Sequence, residues 1–277
     1  MRIDSHQHFW HYFPAEHTWM SDEMAQLKRD FLPQDLHPLL QSSGFDGCIA
    51  VQAHQTLEET RWLLELAGKH AFIKGVVGWV DLCSADLLRQ LETFANHPKF
   101  VGVRHMIQDE PDDEFILGAG FMNGIAQLRR FDLAYDLLIQ PKHLRAAAQL
   151  VQKFPQQPFV LDHIAKPRIA QRLLSPWRED LRELARSRNV FCKLSGMVTE
   201  TKWNQWKPSE FTPYLDSVVE AFTPERLMIG SDWPVCLLSG YYASTMQVVI
   251  DYVQQFSPPV QSGVLGRNCA RFYGIDS

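Results

Sequence analysis

No run of 18 apolar residues occurs in the chain, which excludes a membrane-spanning helix by the usual length criterion. Its five cysteines, Cys48, Cys83, Cys192, Cys236 and Cys269, form no CxxC pair. That spacing excludes a zinc-finger or dithiol redox motif and reads as reduced, mostly packed thiols. The opening MRIDSHQHFW lacks a basic region followed by an apolar stretch, so a cytoplasmic location is expected. Lys and Arg are dispersed and the net charge is −5, which argues against nucleic acid or an anionic membrane as partner. A small-molecule partner is expected, and the oligomeric state is left open. Internal repeats and low-complexity segments are missing too.

What is present is a well-stocked core, with 45% of 277 residues hydrophobic. Short apolar runs rich in β-branched residues recur at 2–8, 47–53, 73–80, 101–105, 134–140, 159–163, 190–195 and 227–232. Each interval between them is long enough for a helix and two loops. Such runs suit strands buried on both faces of a parallel sheet, and eight strand-helix units predict an α/β fold, a closed (β/α)8 barrel spanning 1–277 as one domain. Helices are expected at 34–42, 57–70, 85–96, 121–130, 142–153, 176–188, 209–222 and 243–255, with a last one at 259–272 closing the barrel. Thr56 and Glu59 are spaced as a capping box at the start of the second.

Three connections, 9–33, 106–120 and 197–208, exceed what a compact strand-to-helix loop needs. All leave the carboxyl face of the barrel, where active sites of this architecture lie. Trp10, Trp19, Trp203 and Trp206 suit either a cover over a site or packing on the rim.

His6 and His8 sit two apart on the first strand, so both imidazoles face the barrel interior near its mouth. Asp232 ends the eighth strand in LMIGSDWP, beside the first strand in a closed barrel. Two histidines and a carboxylate are a ligand set for a divalent metal such as zinc, with positions left open. Without that neighbourhood Asp232 is an ordinary turn residue ahead of Pro234. The sixth strand ends in Asp162 and His163, which should alternate, one of them pointing inward. Arg104 and His105 end the fourth strand, Gln52 the second, Gln140 the fifth and Ser195 the seventh. These polar ends, with Trp233, are candidate substrate contacts, while His54 and Lys193 equally suit strand-end solvation.

Together the segments IDSHQHFW, VGWVDL, GVRHMIQDEPD, LDHIAKP, CKLSGMVTE and GSDWPVC resemble the amidohydrolase-2 group of the amidohydrolase superfamily. The likeness is strongest to its sugar-lactone hydrolases and covers nearly the whole chain. It implies a distorted barrel and ring opening of a small aldonolactone, with L-fuconolactone and L-rhamnonolactone the nearest types. It also implies two alternatives, a zinc-dependent decarboxylase and a dicarboxylate lactonase. Metal-dependent members of the superfamily offer a histidine or modified lysine on the middle strands, where this chain has Gln140. A single zinc on His6, His8 and Asp232, partial or dispensable, is therefore expected.

Opening a lactone requires an activated water, a stabilised oxyanion and a proton for the leaving alkoxide. Asp232 is the candidate base. Arg104, His163 or a metal on His6 and His8 would polarise the carbonyl, and His163 is the candidate proton donor. Gln52, His105, Gln140 and Ser195 would read sugar hydroxyls. The lack of a basic cluster in the sequence favours a neutral polyol lactone over a dicarboxylate. A non-catalytic barrel binding a sugar acid would use the same strand ends.

Overall fold

The computed structural model describes residues 1–276, and in it the eight apolar runs pair in chain order as one parallel sheet. The strands are β1 (Ile3–Gln7), β2 (Gly47–Val51), β3 (Ile73–Gly78), β4 (Phe100–His105), β5 (Ala134–Leu137), β6 (Phe159–Leu161), β7 (Val190–Leu194) and β8 (Leu227–Ile229). Between them run α1 (Pro33–Ser42), α2 (Leu57–Lys69), α3 (Leu87–Ala95), α4 (Ala119–Leu128), α5 (Leu144–Lys153), α6 (Trp177–Ala185) and α7 (Thr212–Phe222), and α8 (Tyr242–Val253) follows β8. The α/β barrel is thus the observed architecture. No described helix is long and apolar enough to cross a membrane.

The barrel is irregular where its first strands meet. Register slips between Asp4 and Gln7, between Cys48 and Ile49, and between Val76 and Val77. The seam between β8 and β1 closes only near the mouth, through Asp232 N–H to the His6 carbonyl (2.8 Å) and His8 N–H to the Trp233 carbonyl (2.7 Å). Deeper in, the buried Asp4 carboxylate accepts from Ser231 N–H at 2.9 Å and Ser231 Oγ at 2.6 Å, stapling the two strands by a side chain. Burial pushes the Asp4 carboxyl up to about 6, against these hydrogen bonds.

Several strands are shorter than their sequence runs. β5, β6 and β8 stop three, two and three residues before 140, 163 and 232, because the chain turns out of the sheet there. The capping box at α2 is also rearranged. Thr56 accepts from Glu59 N–H at 3.1 Å as expected, but the Glu59 carboxylate turns back to Ala53 and His54 N–H. It closes the β2 exit loop instead of the helix.

The expected closing helix at 259–272 is broken in three: α9 (Pro258–Ser262), a wide π-type turn (Gly263–Arg267) and α10 (Asn268–Tyr273). The break has a steric cause. Gly266 lies flat against the first residues of the chain, and a Cβ on it would stand 2.4 Å from the Met1 carbonyl oxygen and 2.8 Å from Arg2 Cα. This wedge lets α10 plug the barrel floor, packing Cys269, Ala270 and Tyr273 on Ile3, Val51 and Met228.

Gly266→Ala should therefore cost about 1–3 kcal/mol, the scale of overpacking, read as a lower thermal midpoint. An unchanged midpoint would mean that the wedge is not what holds the floor.

Candidate active site

Above the floor, the barrel interior turns from apolar to ionic. His6 is fully buried, and its ring centroid is 5.0 Å from that of His8 and 4.4 Å from that of His163. Its Nε2 lies 3.2 Å from Arg104 Nη1, which can only donate, so this nitrogen accepts. Its Nδ1 lies between the Lys193 ammonium at 3.2 Å and Asp162 Oδ1 at 3.3 Å. His8 Nδ1 donates to the Val51 carbonyl oxygen at 2.8 Å, which turns Nε2 toward Asp232 Oδ1, 3.4 Å away. The two Nε2 atoms thus converge to 3.2 Å, as the period-2 spacing predicts.

Under them lie two cations and two carboxylates. Lys193 Nζ is 2.5 Å from Asp136 Oδ2 and 3.0 Å from Asp162 Oδ1, and Arg104 Nη1 is 3.1 Å from Asp162 Oδ2. Tyr273 Oη donates to Asp136 at 2.9 Å, tying the α10 plug to the network. Burial works against every charge here. It is overcome at Asp162, which Lys193, His6 and Arg104 hold well below the usual carboxylate range. It is overcome also at Lys193, which the two carboxylates push up. Burial drives His6 well below its ordinary value, so the ring is neutral.

Arg104 and Lys193 balance Asp136 and Asp162, which leaves Asp232 as the uncompensated carboxylate. Its Oδ1 lies 3.4 Å from His8 Nε2, 3.8 Å from His163 Nε2 and 3.9 Å from His6 Nε2. Burial raises this carboxyl, but the three imidazoles outweigh it and hold Asp232 far below its ordinary value. His163 is lowered to about 4 by burial, with Asp232 and Asp162 opposing, so it is uncharged near neutrality. Ser195 Oγ fixes the ring at Nδ1, 2.9 Å away.

Both residues are held in strained backbone. Asp232 has φ of 57°, and His163, Ile164, Ala165 and Lys166 form four successive left-handed residues, none a glycine. Such conformations cost of order 1–3 kcal/mol each and persist where the surroundings force them. They also explain a departure from simple alternation. Asp162 and His163 both reach the interior, because the left-handed turn at His163 swings its ring back inward. Gly196, at φ of 63°, makes room, since a Cβ there would stand 2.4 Å from His163 Nδ1.

A cavity of about 320 Å³ opens above this cluster, lined by His8, Arg104, His163 and Asp232 and sized for one small ligand. The three long loops form its other walls, through Trp10, Trp19 and Met24, through Met106 and Gln108, and through Glu200 and Trp203. Trp206 stays out, donating to the Ser239 carbonyl oxygen at 2.6 Å.

The expected sugar-reading residues fare differently. Gln52 is wholly buried and accepts from Arg104 Nε at 2.9 Å. Ser195 holds His163, and Trp233 is buried against Phe9 and Phe31. His105 points out of the barrel, 2.6 Å from Glu110 and stacked on Phe115. Gln140 lies beyond the end of β5, and Leu138 takes the place on the cavity wall. None of the five lines this cavity. Lys193, a candidate for strand-end solvation, is completely buried, and Arg104, expected to face substrate, is anchored in the ion network as well. Sequence reasoning passed over Lys166, Gln108 and Glu200, although they lie inside the segments LDHIAKP, GVRHMIQDEPD and CKLSGMVTE. Burial raises the Glu200 carboxyl, with Lys166 opposing.

His6, His8 and Asp232 fit one zinc ion. Bonds of about 2.0–2.1 Å in a tetrahedral site set ligand atoms about 3.3 Å apart. The His6 Nε2 to His8 Nε2 separation is 3.2 Å, and Asp232 Oδ1 lies 3.4 and 3.9 Å from them. Against a cation stands the Arg104 guanidinium, 3.2 Å from His6 Nε2.

The chain matches the family described as "Amidohydrolase" over residues 3–275. It is 39% identical over 279 residues to an L-fucono-1,5-lactonase of Burkholderia ambifaria, covering 99% of this chain and 96% of that protein. A second L-fucono-1,5-lactonase, of Burkholderia multivorans, is also 39% identical, with the same shares covered. A crystal structure of a Burkholderia multivorans amidohydrolase with bound Zn superposes over 100% of both chains, with a TM-score of 0.96 and 40% identity.

Gly196→Ala should push the His163 ring aside and lower kcat by roughly tenfold to a hundredfold, the scale of an ångström-sized misplacement. Steady-state kinetics on a folded variant check this, and wild-type kcat would show that the His163 position is immaterial.

Proposed function

The chain belongs to the amidohydrolase family, and on that premise we propose that it opens the ring of a sugar lactone such as L-fucono-1,5-lactone by water attack on the ester carbonyl. Asp232 carries the reading. It is a buried, uncompensated carboxylate on the wall of a monosaccharide-sized cavity, with its carboxyl far below its ordinary value. Full-length likeness to the two lactonases supplies the substrate class.

In this reading Asp232 accepts the proton of the attacking water, whose acidity rises as its oxygen bonds to the carbonyl carbon. Arg104 and neutral His163 donate hydrogen bonds to the developing oxyanion in a site with little water. The lowered His163 is unprotonated near neutrality, so Glu200, a raised carboxyl on the same wall, is the better donor to the ring oxygen. Environments that push two carboxyl groups apart in this way suit one as base and the other as acid. Trp10, Trp19 and Trp203 offer flat faces to the C–H side of a sugar ring. A zinc ion held by His6, His8 and Asp232 would polarise the carbonyl and acidify water when bound.

A panel of aldonolactones followed with a pH indicator tests the activity. Turnover of L-fucono-1,5-lactone or a close stereoisomer is the expected result, with Asp232→Asn reducing kcat at least about 100-fold. Retention of more than about a tenth of the rate by a folded variant would remove Asp232 from the mechanism.

The Arg104 guanidinium beside His6 predicts weak metal binding. Purified enzyme should carry less than one zinc per chain, and chelation should lower kcat by less than about tenfold. Stoichiometric zinc whose removal abolishes turnover would contradict this, as elemental analysis paired with rates would show.

A further inference from the structure

Beside the catalytic cavity lies a second, larger one of about 780 Å³. The two share Gln108, Lys166 and Glu200 as a common wall. Beyond that wall the second cavity is basic. Lys142, Arg145, Lys166 and Arg168 line it against the carboxylates Asp180 and Glu200. Arg145 is neutralised by Asp180 at 2.9 Å, and Lys142 by Asp113 at 2.5 Å. Lys166 and Arg168 have no carboxylate oxygen within 4.0 Å among the described residues. These cations come from the start of α5 and from the strained turn after β6, so the fold assembles a basic cluster that no short stretch of sequence displays. Gln140, absent from the catalytic cavity, faces this one.

The chemistry of the reaction gives the cluster a task. A sugar lactone enters neutral. Hydrolysis adds water, breaks the acyl C–O bond of the ring and yields a hydroxy acid, which loses its proton to become a carboxylate near neutral pH. The product is thus an anion beside the Asp232 carboxylate, and like charges in a partly desolvated site repel. The nearest cation without a partner on the cavity wall is Lys166, and Arg168 lies two residues further along the same turn.

We propose that the second cavity is an anion site that receives the carboxylate of the ring-opened product, passed from Lys166 to Arg168, with Gln140 beside its hydroxyl groups. The inference rests on the lactonase reading for its ligand, an acyclic aldonate. It requires charge recognition outside the catalytic cavity, which a neutral lactone does not use.

Arg168→Gln and Lys142→Met test it, since neither residue touches the catalytic cluster and Arg168 is exposed. Calorimetry with sodium L-fuconate, and with the uncharged alditol of the same length as control, needs no turnover. Wild type should bind the aldonate more tightly than the alditol, and Arg168→Gln should weaken aldonate binding and product inhibition about fivefold, the upper end for a solvent-reachable ion pair. The KM for lactone should stay within about twofold. Equal aldonate affinity in wild type and both variants, or alditol binding as tight as aldonate, would overturn the anion site. Failure of wild type to open any lactone would instead remove the hydrolase reading, and the calorimetric comparison would still decide the anion site.

Discussion

Two cations and two carboxylates sealed inside the barrel set the terms for everything above them. Arg104 and Lys193 against Asp136 and Asp162 form a network whose members are all buried. Removing one member of such a network strands its partner in low dielectric, at a typical cost of 3–5 kcal/mol, so the charges are locked together. The lock holds the His6 ring in place, with Arg104 at one ring nitrogen and Lys193 and Asp162 at the other. It also leaves Asp232 as the carboxylate without a cation of its own. Tyr273 extends the network to the floor, so the C-terminal plug and the buried histidine cluster share one set of hydrogen bonds.

Backbone strain is the second device. The turn that ends β6 and the loop that follows β8 hold left-handed conformations at His163 and Asp232, two side chains 3.8 Å apart on the cavity wall. Strain of this kind keeps a side chain in an orientation that relaxed strand geometry would not provide. Here it turns both Asp162 and His163 inward, one into the ion network and the other onto the cavity wall. Gly196 is the matching concession, a position where backbone conformation and the His163 ring both leave no room for a side chain.

The barrel was legible because apolar periodicity reports burial directly. Seven of the eight strands lie within their sequence runs, and β4 begins one residue ahead of its own, at Phe100. The convergence of His6, His8, His163 and Asp232 was legible too, since the topology puts the ends of β1 and β8 side by side. Substrate contacts were less legible, because strand-end polarity does not reveal what a side chain pairs with. Gln52 and Ser195 serve Arg104 and His163, and His105 faces outward to Glu110. The cavity wall comes instead from loops, whose course depends on packing that periodicity does not encode. Lys166 and Glu200 belong to that class. The break at Gly266 was hidden for a similar reason, since helical spacing continues through 259–272 while the cause is the chain's own first residues.

The proposed chemistry turns on Asp232 acting as a base on water and not attacking the lactone itself. A single turnover with enzyme in excess, run in water enriched in oxygen-18 and followed by mass spectrometry, separates the two. Base catalysis predicts one heavy oxygen in the carboxylate of the aldonate and none in the peptide that carries Asp232. Heavy oxygen in that peptide, with unlabelled first-turnover product, would mark a covalent anhydride and contradict a base role for Asp232.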